Sequence, residues 1–133
     1  MRIKKRNRES GFSNEYNTWL DVSLSDQNRI PVEQIQGPLL LLSAHNDEMW
    51  PSERMGQLLI DQLTQRSFAY PFRHAVYHPA SHLLCPIFSP IRFAFRAERD
   101  YPGPCNAARI AALELSVSWL RQQAESKAFP SDV

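Results

Sequence analysis

The chain's clearest pattern is the apolar run Leu39-Leu40-Leu41-Leu42, closed by Ser43 and set between Gly37-Pro38 and Asn46-Asp47. Continuous rather than alternating apolarity predicts a strand covered on both faces, as in a parallel sheet. Beyond it, Ser52 is placed to cap a helix with Glu53 in the first turn, and Met55, Leu58, Leu59 and Leu63 recur at helical spacing. Arg73 to Tyr77 reads as a second strand, followed by a proline-rich loop from Pro79 to Pro90. Ile91-Arg92-Phe93-Ala94-Phe95 alternates and predicts a short extended piece. Asn106 then serves as N-cap of a last helix running to about Ser126, with Ile110, Leu113, Val117 and Leu120 on one face and Trp119 beside them. Strand, helix, strand, helix in that order predicts an α/β fold with parallel strands.

The same reading divides the rest. Phe12, Tyr16, Trp19 and Leu20 fit a short amphipathic helix, Ser23 to Arg29 a polar loop, and Ile30 to Ile35 a turn. Residues 1–29 form a basic tail and linker or lid-like segment, 30–127 the folded unit, and 128–133 a second tail. Two strands leave open edges and an uncovered helix face. The unit is therefore expected to dock on something else or to be part of a larger domain.

Composition narrows the classes. A length of 133 residues allows at most one domain, and 43% apolar with 22% charged residues is ordinary for a globular chain. A net charge of +1 gives no electrostatic case for nucleic acid or a membrane surface. Arg2, Lys4, Lys5, Arg6 and Arg8 crowd the start; a solvated terminus explains them more simply than an anion-binding arm. No apolar segment follows them as in a secretory signal, and no run approaches the ~18 residues of a membrane span. Cys85 and Cys105 lack ligand-like spacing and suit reduced thiols in the cytoplasm.

In open α/β sheets the chemistry gathers beyond the carboxyl ends of the strands. Asp47 follows the first predicted strand, and His82 follows the second. If those strands are neighbours, a carboxylate on one imidazole nitrogen would fix the tautomer and leave the other nitrogen as general base. Acid before histidine is also the chain order of an α/β-hydrolase triad. Taken singly, Asp47 reads more simply as an Asx-turn or cap residue and His82 as polar surface. His74, His78 and His82 recur every fourth residue, but Pro71 and Pro79 exclude the helix that a metal-binding face would need. His45 reads as a surface turn residue. Cys85, three positions after His82, is the one local candidate for a nucleophile, and a small free thiol is its simpler reading.

Several of these segments resemble the acyl-CoA thioesterase and bile acid-CoA:amino acid N-acyltransferase family in its C-terminal α/β-hydrolase domain, itself akin to dienelactone hydrolases. Ile30 to Pro38 is similar to the lead-in before that family's acid-bearing strand. Leu39 to Ser52 is similar to its strand, acid turn and Trp-Pro-Ser helix start, with Asp47 four residues before Pro51 at the position of the catalytic acid. Tyr77 to His82 resembles the segment carrying the catalytic histidine, and Tyr101 to Gln123 the closing segment and C-terminal helix. The resemblance runs over about residues 30–125.

The resemblance implies the C-terminal half of an α/β-hydrolase fold, its last two parallel strands with flanking helices. Its substrate would be an acyl-CoA or similar ester, and it calls for no cofactor or metal. The departures count as much. Ala44 and Ser81 stand where the family uses small, glycine-rich sequence, and Asn46 replaces the first residue of its acid pair. The family's Gly-x-Ser/Cys-x-Gly nucleophile elbow has no counterpart, since glycine occurs only at 11, 37, 56 and 103. The chain alone is therefore expected to be inactive, with self-association or a complementing hydrolase half as its partner. The alternative is a non-catalytic fragment that pairs a strand edge with another chain.

Overall fold

A computed structural model describes residues 16–18, 20, 29–45, 47–86 and 89–128. Leu39–Ala44 forms β1 and Phe72–Tyr77 forms β2, paired parallel from Leu39 opposite Phe72 to Ala44 opposite Tyr77. Main-chain bonds from Leu39 N to Pro71 O (2.9 Å) and from His45 N to Tyr77 O (3.0 Å) extend the ladder at both ends. The parallel α/β arrangement expected from the pattern is thus present, as a two-stranded sheet with flanking helices. Leu39 to Leu42 are only half-buried. Among the described residues, a strand written for two covered faces is not fully covered on both.

The crossover helix α1, Ser52–Gln65, packs on both strands and buries Gly56, Gln62 and Leu63. Leu63, the last member of the predicted stripe, is fully buried, while Met55, Leu58 and Leu59 are half-buried. Ser52 does not cap it as expected: it is the first helical residue, and Pro51 precedes it. Its hydroxyl instead donates to Ala44 O (3.2 Å) and faces Ala44 N (3.3 Å), fastening the helix start to the end of β1. The helix closes on Ser67 at φ 51°, with Phe68 N bonded to Leu63 O and Ser67 N to Thr64 O, a Schellman arrangement.

A 3-10 turn at Val32–Gln34 precedes β1, and three further described elements follow β2. Pro90–Ala94 is a 3-10 helix, correcting the extended piece expected at Ile91 to Phe95. Ser89 accepts from Ile91 N and Pro90 presets the first helical φ, local chemistry that outweighs an alternating pattern of five residues. A short helix α2, Arg96–Asp100, follows, and then α3, Pro102–Ala128. α3 starts ahead of Asn106 because prolines are tolerated in a first turn, and Tyr101 O accepts from Cys105 N at 2.9 Å. It docks through a face of small residues and one cation, Cys105, Ala108, Arg109 and Ala112. The predicted stripe points outward: Ile110, Leu113, Val117 and Leu120 are 38–68% exposed. Small side chains let α3 approach the Ala44–Ala80 region closely, with Tyr77 and Leu84 packed alongside. Phe12 and Trp19 of the first predicted helix lie outside the described residues; Tyr16, near that helix's middle, is helical and stacks on Trp50 at 4.9 Å.

Candidate active site

The parallel register sets the site's geometry. Because Ala44 lies opposite Tyr77, the chain leaves both strands at the same end of the sheet. Asp47 and His82 meet there. His82 Nδ1 lies 3.0 Å from Asp47 Oδ1 and 3.1 Å from Oδ2. Asp47 is held by the backbone as well, since its Oδ1 accepts from the N–H of Met49 (2.9 Å) and Trp50 (3.1 Å). The turn role and the histidine contact therefore coexist in one carboxylate. Its side chain is 5% exposed, whereas that of His82 is 34% exposed.

This asymmetry dictates the proton arrangement. Asp47 as a carboxylate can only accept, so Nδ1 of a neutral His82 carries the hydrogen and Nε2 carries a lone pair. Among the described residues Nε2 has no hydrogen-bond partner. The ring of Phe95, the residue before α2, lies 6.0 Å from the imidazole. A carboxylate-oriented imidazole with one nitrogen uncommitted is the arrangement of a general base.

The other sequence candidates separate. His78 meets His45 edge to face at 4.6 Å, and His45 Nδ1 lies 2.6 Å from Glu53 Oε2 on an exposed surface. His74 Nε2 lies 2.9 Å from Ser43 Oγ. The histidines at 74, 78 and 82 thus face three different neighbourhoods. Ser43 and His74 form a serine–histidine pair that sequence reasoning did not single out, but Ser43 is 4% exposed and its hydroxyl donates to Ser52 O at 2.9 Å. With that proton spent, His74 Nε2–H must donate to Ser43, the reverse of a base taking a proton from a nucleophile. Burial pushes the His74 imidazole below its ordinary value, with Glu53 opposing more weakly. Cys85 is exposed. A cleft of about 430 Å³ opens beside Asp47, between Trp50, Glu53 and Arg54; His82 does not line it.

Missed in sequence was a buried polar cluster behind His82. Ser81 Oγ donates to Glu98 Oε1 at 2.5 Å, and Arg109 Nη1 reaches the same oxygen at 2.5 Å. Glu98 and Arg109 sit on different helices, and no sequence spacing links them.

A two-stranded parallel sheet with flanking helices, carrying an acid and a histidine in contact at its carboxyl end, is compatible with part of an α/β fold. The family described as BAAT / Acyl-CoA thioester hydrolase C terminal matches residues 2–101, and the chain belongs to it. That match starts ahead of Ile30 and stops before α3. The chain is 37% identical over 75 residues to acyl-coenzyme A amino acid N-acyltransferase 2 of Mus musculus, covering 56% of this chain and 18% of the relative. It is 37% identical over 71 residues to acyl-coenzyme A amino acid N-acyltransferase 1 of the same organism, covering 53% and 17%. The chain spans less than a fifth of the length of these relatives. No solved structure matches.

Proposed function

We propose that this chain is the acid- and histidine-bearing part of an α/β-hydrolase domain that cleaves or transfers the acyl group of an acyl-CoA thioester. The observation that carries the reading is the buried Asp47 carboxylate at 3.0 Å from His82 Nδ1. Asp47 holds the tautomer and stabilises the imidazolium; His82 Nε2 takes the proton of a serine or cysteine supplied by a Gly-x-Ser/Cys-x-Gly elbow outside this sequence. Oxyanion-hole donors come from the same missing region and contribute about 3–4 kcal/mol each to lowering the barrier. Without them the chain alone is inactive. The amino acid acceptor named for the murine relatives is the first acceptor to test. Reduced cysteines are in keeping with a cytoplasmic setting.

The test compares the purified chain with the same chain fused behind a nucleophile-bearing hydrolase half, using palmitoyl-CoA and a short acyl-CoA. Turnover is expected only in the fusion, and there it is lost in His82→Ala. Turnover by the chain alone that survives Cys85→Ala would refute the missing-elbow argument; turnover abolished by Cys85→Ala would make Cys85 the nucleophile.

A second reading, a non-catalytic fragment that pairs with another chain, is favoured by the outward stripe of α3, where Leu120 is 68% exposed. Apolar patches of this kind mark interfaces. Under either reading the isolated chain self-associates. Sedimentation velocity should show a species larger than monomer that Leu113→Glu/Leu120→Glu dissociates. A clean monomer with a sharp melting transition would overturn self-association.

A further inference from the structure

We propose that Glu98, fixed by Arg109, is a positioning residue that sets His82 against Asp47 through the hydroxyl of Ser81. The inference rests on the reading of Asp47 and His82 as a working pair. Ser81, one residue before His82, is 2% exposed, and its hydroxyl makes two bonds. Its proton goes to Glu98 Oε1 at 2.5 Å, and its oxygen accepts from Leu83 N at 3.1 Å. The backbone on both sides of His82 is therefore tied to one hydroxyl, and that hydroxyl to one carboxylate oxygen.

Glu98 is 1% exposed and Arg109 3%. Withdrawing both charges from water is expensive, and well-packed apolar residues in their place are commonly as stable or more so. Among the described residues Arg109 Nη2 is buried without a partner, a further cost. Stability is thus a poor account of the pair. What a buried charge pair does supply is a fixed acceptor, because the bidding of Ser81 and Arg109 for the same Oε1 leaves the carboxylate one orientation. Glu98 of α2 takes the Ser81 proton, and Phe95, the residue before that helix, has its ring centroid 6.0 Å from that of the imidazole. Cys105 Sγ to Ala97 O at 3.4 Å fastens α2 to α3.

The ring tautomer of His82 reads this positioning directly. Long-range ¹H–¹⁵N correlation spectra of the labelled full chain at about pH 8, where ordinary histidines are neutral, should show Nδ1–H at His82 and Nε2–H at His74. Two variants remove the tether: Ser81→Ala, which keeps the ion pair, and Glu98→Leu/Arg109→Leu, which replaces both charges. In each, the Nδ1–H to Nε2–H ratio at His82 is expected to fall about ten-fold, the scale of a lost charge-assisted hydrogen bond. His74, bonded to Ser43, should not change. Wild-type spectra at His82 in both folded variants would overturn the positioning role and leave the Asp47–His82 pair standing. Loss of Nε2–H at His74 as well, or unfolding of the double variant, would assign the cluster to the fold and also overturn it. A wild-type His82 without Nδ1–H would instead remove the pair itself.

Discussion

His74 and His82 are eight positions apart and each is bonded at about the same distance, 2.9 Å to Ser43 and 3.0 Å to Asp47. They nevertheless differ in what the imidazole can do. His74 lies within β2 beneath α1, donates Nε2–H into a serine whose own proton is spent, and is held toward its neutral form by burial. His82 lies in the loop beyond the strand end, with an acceptor fixed on Nδ1 and, among the described residues, no partner for Nε2. A histidine's hydrogen bond therefore says little about chemistry; which nitrogen is engaged, by donor or acceptor, says most of it.

The largest expected effect separates the two directly. In a fusion with a nucleophile-bearing half that restores turnover, Asp47→Asn should lower kcat by about 10⁴-fold, because an amide imposes the wrong tautomer. His74→Gln should change kcat by less than about ten-fold, as a packing change away from the reacting atoms. Steady-state kinetics on the two variants decides; comparable losses would dissolve the distinction between the histidines.

The contact between Asp47 and His82 was legible because both signals are local: an apolar strand, then a polar turn, in the right order. Parallel pairing of β1 with β2 followed from the same logic. The Ser43–His74 bond was not legible, since it depends on the register that sets Ser43 opposite Val76 and leaves His74 within reach. Nor was the Glu98–Arg109 pair, which forms only when α2 and α3 fold back behind Ser81. The α3 stripe misled for a physical reason. Apolar periodicity identifies a face able to be buried, but close helix approach favoured Ala108 and Ala112 over Ile110 and Leu113. In the 3-10 turn at Pro90–Ala94, a serine cap and a proline overrode a short alternating run.

Gly56 gives the next test, because it holds the space in which His74 lies. A Cβ there would stand 2.6 Å from His74 Cε1, closer still to Nε2, and 3.0 Å from Ser43 Oγ. Helix propensity alone predicts that Gly56→Ala stabilises α1 by about 1 kcal/mol. The overlap should reverse that sign, leaving a net loss of about 1–3 kcal/mol in urea unfolding. Combining Gly56→Ala with His74→Ala should recover part of the loss, and a double-mutant cycle gives the coupling. A stabilised Gly56→Ala, with no coupling to His74, would mean that the imidazole is not packed under the helix.

The smallest effect is the pH dependence that His74 imparts. Its folded-state pKa lies below the ordinary 6.5, chiefly through burial, so the unfolded chain takes up this proton more readily than the folded one. The stabilisation is complete above about pH 6.5 and is lost as pH falls through the lower, folded-state value. Partial exposure and the opposing charge of Glu53 keep it modest. Thermal melting between pH 7.5 and pH 5, run at ionic strength of about 0.1 M to screen distant charges, should show Tm falling with acidity in the wild type. His74→Gln keeps a side-chain donor for Ser43 but has no proton to gain, so its curve should be flatter over the same range. A steeper fall in His74→Gln would place the titrating group elsewhere and remove His74 from the acid response of the fold.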